Sequence, residues 1–435
     1  MRRVFFFWLP LAATWLMMSA EGPFLAAVIA RLPDPKINLA AYGVAFAVGL
    51  LVEAPVIMMM SAATALVKDR DSYLRLRNFS HGLSLLITVF MLCVLIPGVF
   101  DALIVQTIGL SDNLSRITYV ACWILLPWPG TIGFRRFYQG ILIRSGRTRY
   151  VAAGTILRIT TMSCTGLVLY HWGMLEGAWV GVAALTTGVT LEALASRVMA
   201  HGSIRELLAH EGPGGSDPPL TLPRITAFYY PLALTAILML GVQPVATFFL
   251  GRGRLPLESL AVFPVVHALV FLFRSPGIAF QEVGIALMGE RGEGHPALRR
   301  FAAILGFSAS SGLLLLAVTP LAPLWYNRVA GLLPELVRLA LLPTLLLAPI
   351  PGLTVLLAHQ RAVLIKMGRT RPITWATALK VCGIIVFLWM GVGLLDWVGV
   401  TAAAAALLIG RLAANSFLFR PVARALRNLT KAPPQ

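Results

Sequence analysis

A chain of 435 residues that is 58% hydrophobic and only 12% charged, with a mean hydropathy of +0.81, is not composed like a soluble domain, since those carry about 25% charged residues. Apolar runs of bilayer length recur from end to end and predict an all-α polytopic membrane protein; they exclude a β-barrel, whose strands alternate apolar and polar residues over about 10 positions. The net charge of +18 would point to nucleic acid in a soluble protein, but here basic cytoplasmic loops explain it and no nucleic-acid partner is expected.

In chain order, Arg2 and Arg3 before an apolar core imitate a signal peptide. Pro10 and Pro23 have partners 221 residues on, Pro231 and Pro244, so the segment is expected to be the first helix of a half. Membrane helices are predicted at 5–30, 39–67, 79–100, 116–144, 150–171 and 175–197. The second six are predicted at 225–250, 257–288, 298–324, 331–366, 373–395 and 397–419. The Gly- and Pro-rich segment 198–223 is the predicted cytoplasmic linker between lobes at 1–197 and 224–420, and 421–435 forms a basic cytoplasmic tail. The N-terminus, even-numbered loops and tail hold 22 basic residues against 7 in the odd-numbered loops, which places both termini in the cytoplasm of a multi-pass protein of the inner (plasma) membrane. Cys93, Cys122, Cys164 and Cys382 lie singly in apolar segments, so neither a metal nor a cofactor is expected.

One stretch occurs twice. With an offset of 222, Pro127-Trp128-Pro129-Gly130 falls on Pro349-Ile350-Pro351-Gly352, and Gly146-Arg147-Thr148-Arg149 falls on Gly368-Arg369-Thr370-Arg371. Pro55 falls on Pro276 and Phe79 on Phe301 at similar offsets. Twelve helices as two six-helix parallel repeats follow, related by a pseudo-two-fold along the membrane normal, with the substrate path expected between the halves.

The helix closed by Gly368 to Pro372, its twin at Gly146 to Arg149, and the prolines early in helices one, two, seven and eight resemble MATE-type exporters of the MOP superfamily. Ala40 to Ala45, leading to Lys68-Asp69-Arg70, more faintly resembles the ankylosis-protein branch, which implies export of pyrophosphate, nucleotide or small carboxylate anions. The major facilitator fold competes, but its loop after helix two needs glycines that VKDRDSYLRLR lacks.

A charge in hydrocarbon costs from about 3 to more than about 10 kcal/mol, so each one needs a partner, a cavity or a function. Glu53, two residues before Pro55, has Arg274 as its repeat partner; the pair is read either as a proton-sensitive gate between the halves or as a static packing pair. Arg158 and Lys380 are a second symmetric pair, either gripping an anionic substrate or snorkelling to cytoplasmic headgroups. Arg135, Arg136 and Arg361 follow the Pro-x-Pro-Gly breaks and are expected to line an aqueous route. Glu21 beside Pro23, and His267 in mid-helix, are candidate sites for a coupling H⁺ or Na⁺. Glu192 is expected to pair with Arg197, and Glu282 with a cytoplasmic base.

Phosphate-loop and hydrolase motifs are missing, and the loops offer only Asp69 and Asp71 toward a metal-dependent transferase, so no enzyme is expected. The expected function is a monomeric secondary active exporter working by alternating access on a small organic or phosphate-containing anion, or on drugs. A flippase for a lipid-linked anionic head group, or a major-facilitator-type transporter, is the alternative.

Overall fold

The computed structural model describes residues 1–209, 220–289, 292–367, 369 and 371–431, with side chains to Arg427. Among these, twelve helical spans are long and apolar enough to cross a membrane: Arg2–Ile29, Pro35–Leu66, Arg70–Val94, Asp112–Arg144, Thr148–Trp172, Gly177–Met199, Leu222–Arg252, Pro256–Leu287, His295–Val318, Pro334–Lys366, Arg371–Leu394 and Gly399–Arg427. Their number and order agree with the sequence reading. The third and ninth spans stop short of the expected 100 and 324. A short apolar helix at Pro97–Ile108 and the segments Leu321–Leu324 and Trp325–Val329 follow them instead. Within the expected linker, His201–Ala209 is helical and tied to the basic turn between spans four and five by Arg147 Nη2–Glu206 Oε1 at 2.5 Å; the GPGGSDPPL stretch falls outside the described residues, apart from its last residue. Large apolar side chains such as Phe307, Val198 and Trp375 stand exposed along the spans, as a lipid-facing surface requires.

Proline sets where the spans break, because it removes a backbone donor and its ring clashes with the preceding turn. Span two is an α-helix at Pro35–Glu53, a 3₁₀ turn at Ala54–Val56 and a second helix from Met59, so Glu53 ends the first helix beside Pro55. Its counterpart, span eight, runs unbroken through Pro264 and Pro276. The Pro-x-Pro-Gly motifs divide span four at Leu125–Leu126 and span ten at Ala348–Pro349, and each starts the second half of its span. The basic turn is a helix stop. Gly146 adopts φ +70°, and Arg147 N–H bonds to Leu142 O at 2.9 Å, the arrangement that closes a helix with a left-handed glycine. The repeat is visible in Arg369 N–H to Leu364 O at 2.8 Å, although Gly368 and Thr370 lie outside the described residues.

Backbone packing groups the chain into two compact units, Met1–Arg31 with Phe249–Gln435 (unit one) and Leu32–Phe248 (unit two). The first span of each sequence half thus packs into the unit formed by the other half. In unit one, Val4 joins a core with Phe280, Val355, Leu364 and Leu418, and Trp8 lies against it. In unit two, Ile225 and Tyr229 join a core with Met59, Leu76, Phe137 and Ile141. A matched hydrogen bond anchors each exchanged span. Trp8 Nε1 donates to Pro276 O at 2.9 Å, and its repeat equivalent Tyr229 Oη donates to Pro55 O at 2.6 Å. Both acceptors are carbonyls at the proline bends, where the regular helical ladder is disturbed.

Candidate functional site

Two clusters of intramembrane charge form, one inside each unit. In unit two, Arg135 and Gln139 are four residues apart on the helix Pro127–Arg144 and so share a face. Arg158 comes from span five and Glu192 from span six. The Glu192 carboxylate accepts from Arg135 Nη1 through Oε2 and from Gln139 Nε2 at 3.0 Å through Oε1, and Arg158 Nε stands 3.5 Å from Oε2. Glu192 and Arg135 are 1% and 4% exposed, so this is an ion pair removed from solvent on both sides. Glu53, 4% exposed, lies within charge range of Arg135, Arg136 and Arg158, and its Oε2 has no hydrogen-bond partner among the described residues. Arg136 reaches Met60 Sδ at 3.8 Å. Three arginines and two carboxylates leave this cluster with a formal charge of +1.

This corrects the expected Glu192–Arg197 pair. Arg197 stacks over the Tyr138 ring at 5.3 Å, while Glu192 faces the opposite arginines. Arg158 is 6% exposed and stands ten residues into Thr148–Trp172, packed toward Glu192.

Unit one is charged differently. Lys380 on span eleven is within charge range of Arg411 on span twelve, Arg361 on span ten and Arg274 on span eight, and Arg411 is likewise near Arg274 and Arg361. Among the described residues, the neighbouring charges that act most on Lys380 and Arg411 are arginines. Arg361 Nη2 donates to Thr377 Oγ1 at 3.3 Å, and Arg274 lies over the Phe271 ring at 5.0 Å. The Nε atoms of Arg274 and Arg361 are buried without a hydrogen-bond partner. All four side chains are half-buried, and the cluster carries +4.

The same backbone geometry carries both clusters. A Cβ on Gly188 would sit 3.0 Å from Arg158 O, and one on Gly410 would sit 2.8 Å from Lys380 O. The glycine therefore brings spans five and six, and again eleven and twelve, close enough to seat the cation. The charges differ: Glu53 is replaced by Arg274, Gln139 by Arg361 and Glu192 by Ala414, while Arg135 and Arg136 fall on Leu357 and Ala358 and Val189 falls on Arg411.

His267 lies two turns before Arg274 on span eight, within its charge range, with the Phe263 ring at 5.9 Å. Glu21 opens the helix Glu21–Ile29 and is not among the charges acting on Lys380 or Arg411. Glu282 is exposed. Among the described residues, no His, Cys, Asp and Glu group suited to a metal is found.

Neither a family model nor a curated protein matches the sequence. Solved structures do match. An inward-facing multidrug resistance MATE family transporter of the MOP superfamily superposes with a TM-score of 0.72 at 15% identity, over 97% of this chain and 96% of that one. This chain has the MATE-type fold. A mutant of the Vibrio cholerae MATE transporter VcmN matches with a TM-score of 0.64 at 13% identity, covering 98% of this chain and 97% of that chain. The lipid II flippase MurJ in an inward closed conformation matches with 0.66 at 12% identity, covering 98% and 94%. The MATE-type fold thus extends over nearly the whole chain, while the charged residues have to be read from this sequence alone.

Proposed function

We propose that this chain is a secondary active transporter that moves an anionic substrate across the membrane by alternating access. One observation carries the reading: within a MATE-type fold, Arg135, Arg136, Arg158, Arg274, Arg361, Lys380 and Arg411 stand in the spans against only Glu53 and Glu192 inside the two clusters. A fixed excess of positive charge inside the bilayer repels cations and lowers the cost of bringing an anion in. Arginine adds bidentate recognition of carboxylate or phosphate oxygens. Glu53 is the candidate coupling group, since a carboxylate that is buried with one oxygen unpartnered can exchange a proton. Export, with both termini cytoplasmic, follows from the charge bias of the loops and the resemblance to exporters.

The test is uptake and efflux in proteoliposomes holding the purified full chain, comparing pyrophosphate, citrate and a cationic dye. Gradient-driven flux of an anion is expected. Flux of the dye alone, unchanged in Arg158→Ala and Lys380→Ala, would reject the anion reading. A lipid-linked anionic head group is a second reading, favoured by the similarity to the MurJ flippase; a lipid scrambling assay in the same vesicles separates the two.

A further inference from the structure

We propose that unit one by itself forms the holding site for the anion, a pocket for a group with two or more negative charges, made by Arg274, Arg361, Lys380 and Arg411. This rests on the transport reading for its biological use, though not for its chemistry. The two charge clusters are counterparts in the repeat. They share one scaffold, down to the glycine that seats Arg158 against span six and Lys380 against span twelve. In unit two the protein supplies its own anion. Glu192 bonds to Arg135 Nη1 and Gln139 and approaches Arg158, so a carboxylate of the chain already meets most of that cluster's positive charge, although the Nε atoms of Arg135 and Arg136 have no partner among the described residues.

In unit one the positions of both acids hold Arg274 and Ala414, and among the described residues the charges acting on Lys380 and Arg411 are arginines. Arg274, Arg361 and Arg411, from spans eight, ten and twelve, lie within charge range of Lys380 on span eleven, and the buried Nε atoms of Arg274 and Arg361, like those of Arg135 and Arg136 in unit two, have no acceptor among the described residues. Like charges held together with little access to water repel one another and lose hydration, so counter-charge stabilises such an arrangement. A single monovalent anion would leave most of the charge unbalanced. A diphosphate or a tricarboxylate offers several charges and oxygens at a spacing that more than one guanidinium can grip. The helix ties beneath the cluster make it rigid: Gln360 Nε2 donates to Asn415 O at 3.0 Å, and Asn415 Nδ2 donates to Leu353 O at 3.0 Å, which fixes span ten against span twelve between Arg361 and Arg411.

The diphosphate group is common to a free solute and to a lipid-linked carrier, so the experiment uses both. Binding of inorganic pyrophosphate and of farnesyl diphosphate to the full chain in nanodiscs is measured by calorimetry, alongside the shift each gives to thermal unfolding. Both are expected to bind and to raise the unfolding temperature, with Arg411→Gln and Lys380→Gln each weakening the affinity at least about tenfold. Arg411→Lys is expected to recover most of it, whereas Arg116→Gln, an exposed residue outside the spans' interior, leaves it unchanged. Tighter binding of farnesyl diphosphate would assign the lipid-linked source, and tighter binding of pyrophosphate the free solute.

Absence of binding by either probe to the unaltered chain would overturn the site, and that measurement needs no variant to fold. So would affinities in Arg411→Gln and Lys380→Gln within twofold of the unaltered chain, or competition by chloride as strong as by pyrophosphate. Binding with no flux in proteoliposomes would keep the site and reject the transport reading. Flux that ignores these variants would do the reverse.

Discussion

Glu192 shows how far a residue's meaning depends on what faces it. Its sequence neighbour Arg197 suggested a local pair, yet the carboxylate lies on the inner face of span six and holds Arg135, Gln139 and Arg158 from two other spans. Removing one member of a buried ion pair strands the other charge, which typically costs about 3–5 kcal/mol. Glu192→Gln is therefore expected to lower the stability of the folded chain by about that amount in chemical unfolding, while Glu282→Gln, at an exposed position, changes it by less than about 0.5 kcal/mol. Arg411 teaches the converse. Span twelve has no motif around it, and its role rests on the company of Lys380, Arg361 and Arg274.

Proline bends and caps decide the elements. Trp8 and Tyr229 satisfy the carbonyls of Pro276 and Pro55, so each exchanged span is latched at the bend of the span it packs on. Tyr229→Phe leaves the Pro55 carbonyl without that donor and is expected to cost about 1 kcal/mol. Trp8→Phe loses ring volume as well as the donor and is expected to cost more; comparing unfolding midpoints of the two variants checks both.

At the start of span three, Asp69 accepts from Ser72 N–H at 2.9 Å, and Ser72 Oγ accepts from Asp69 N–H at 3.0 Å, a reciprocal cap outside the bilayer. The Ser72 N–H, aided by its hydroxyl, holds the Asp69 carboxyl below its usual pKa of 3.8. A depressed pKa means that the carboxylate stabilises the folded chain above about pH 4 and that this contribution fades as the pH falls further. Asp69→Ala is expected to cost about 1 kcal/mol at pH 7, with the gap to the unaltered chain narrowing below about pH 4 in thermal unfolding. The sequence reading named Asp69 without its capping role, which the structure supplies. The helices at Pro97–Ile108 and His201–Ala209 were not legible either, since segments of that length carry too few turns for periodicity to separate them from loop or span.

For the molecule as a whole, the sequence by itself determined the number of spans, their order, the duplication and the positions of the breaks. Each of these follows from local physics: bilayer thickness fixes the length of an apolar run, proline disrupts the helical ladder where it stands, and a repeat is visible as an offset. The MATE-type resemblance was readable for the same reason, because its signals are prolines and glycine turns at fixed places. Only the tertiary structure decided which spans share a unit, so that Arg2–Ile29 packs with the second half and Leu222–Leu240 with the first. It alone separated a cluster in which two carboxylates offset three arginines from one that holds four cations. Neither is local. Both depend on side chains separated by tens to hundreds of positions, and no periodicity in a chain records which distant charge will arrive opposite a given one.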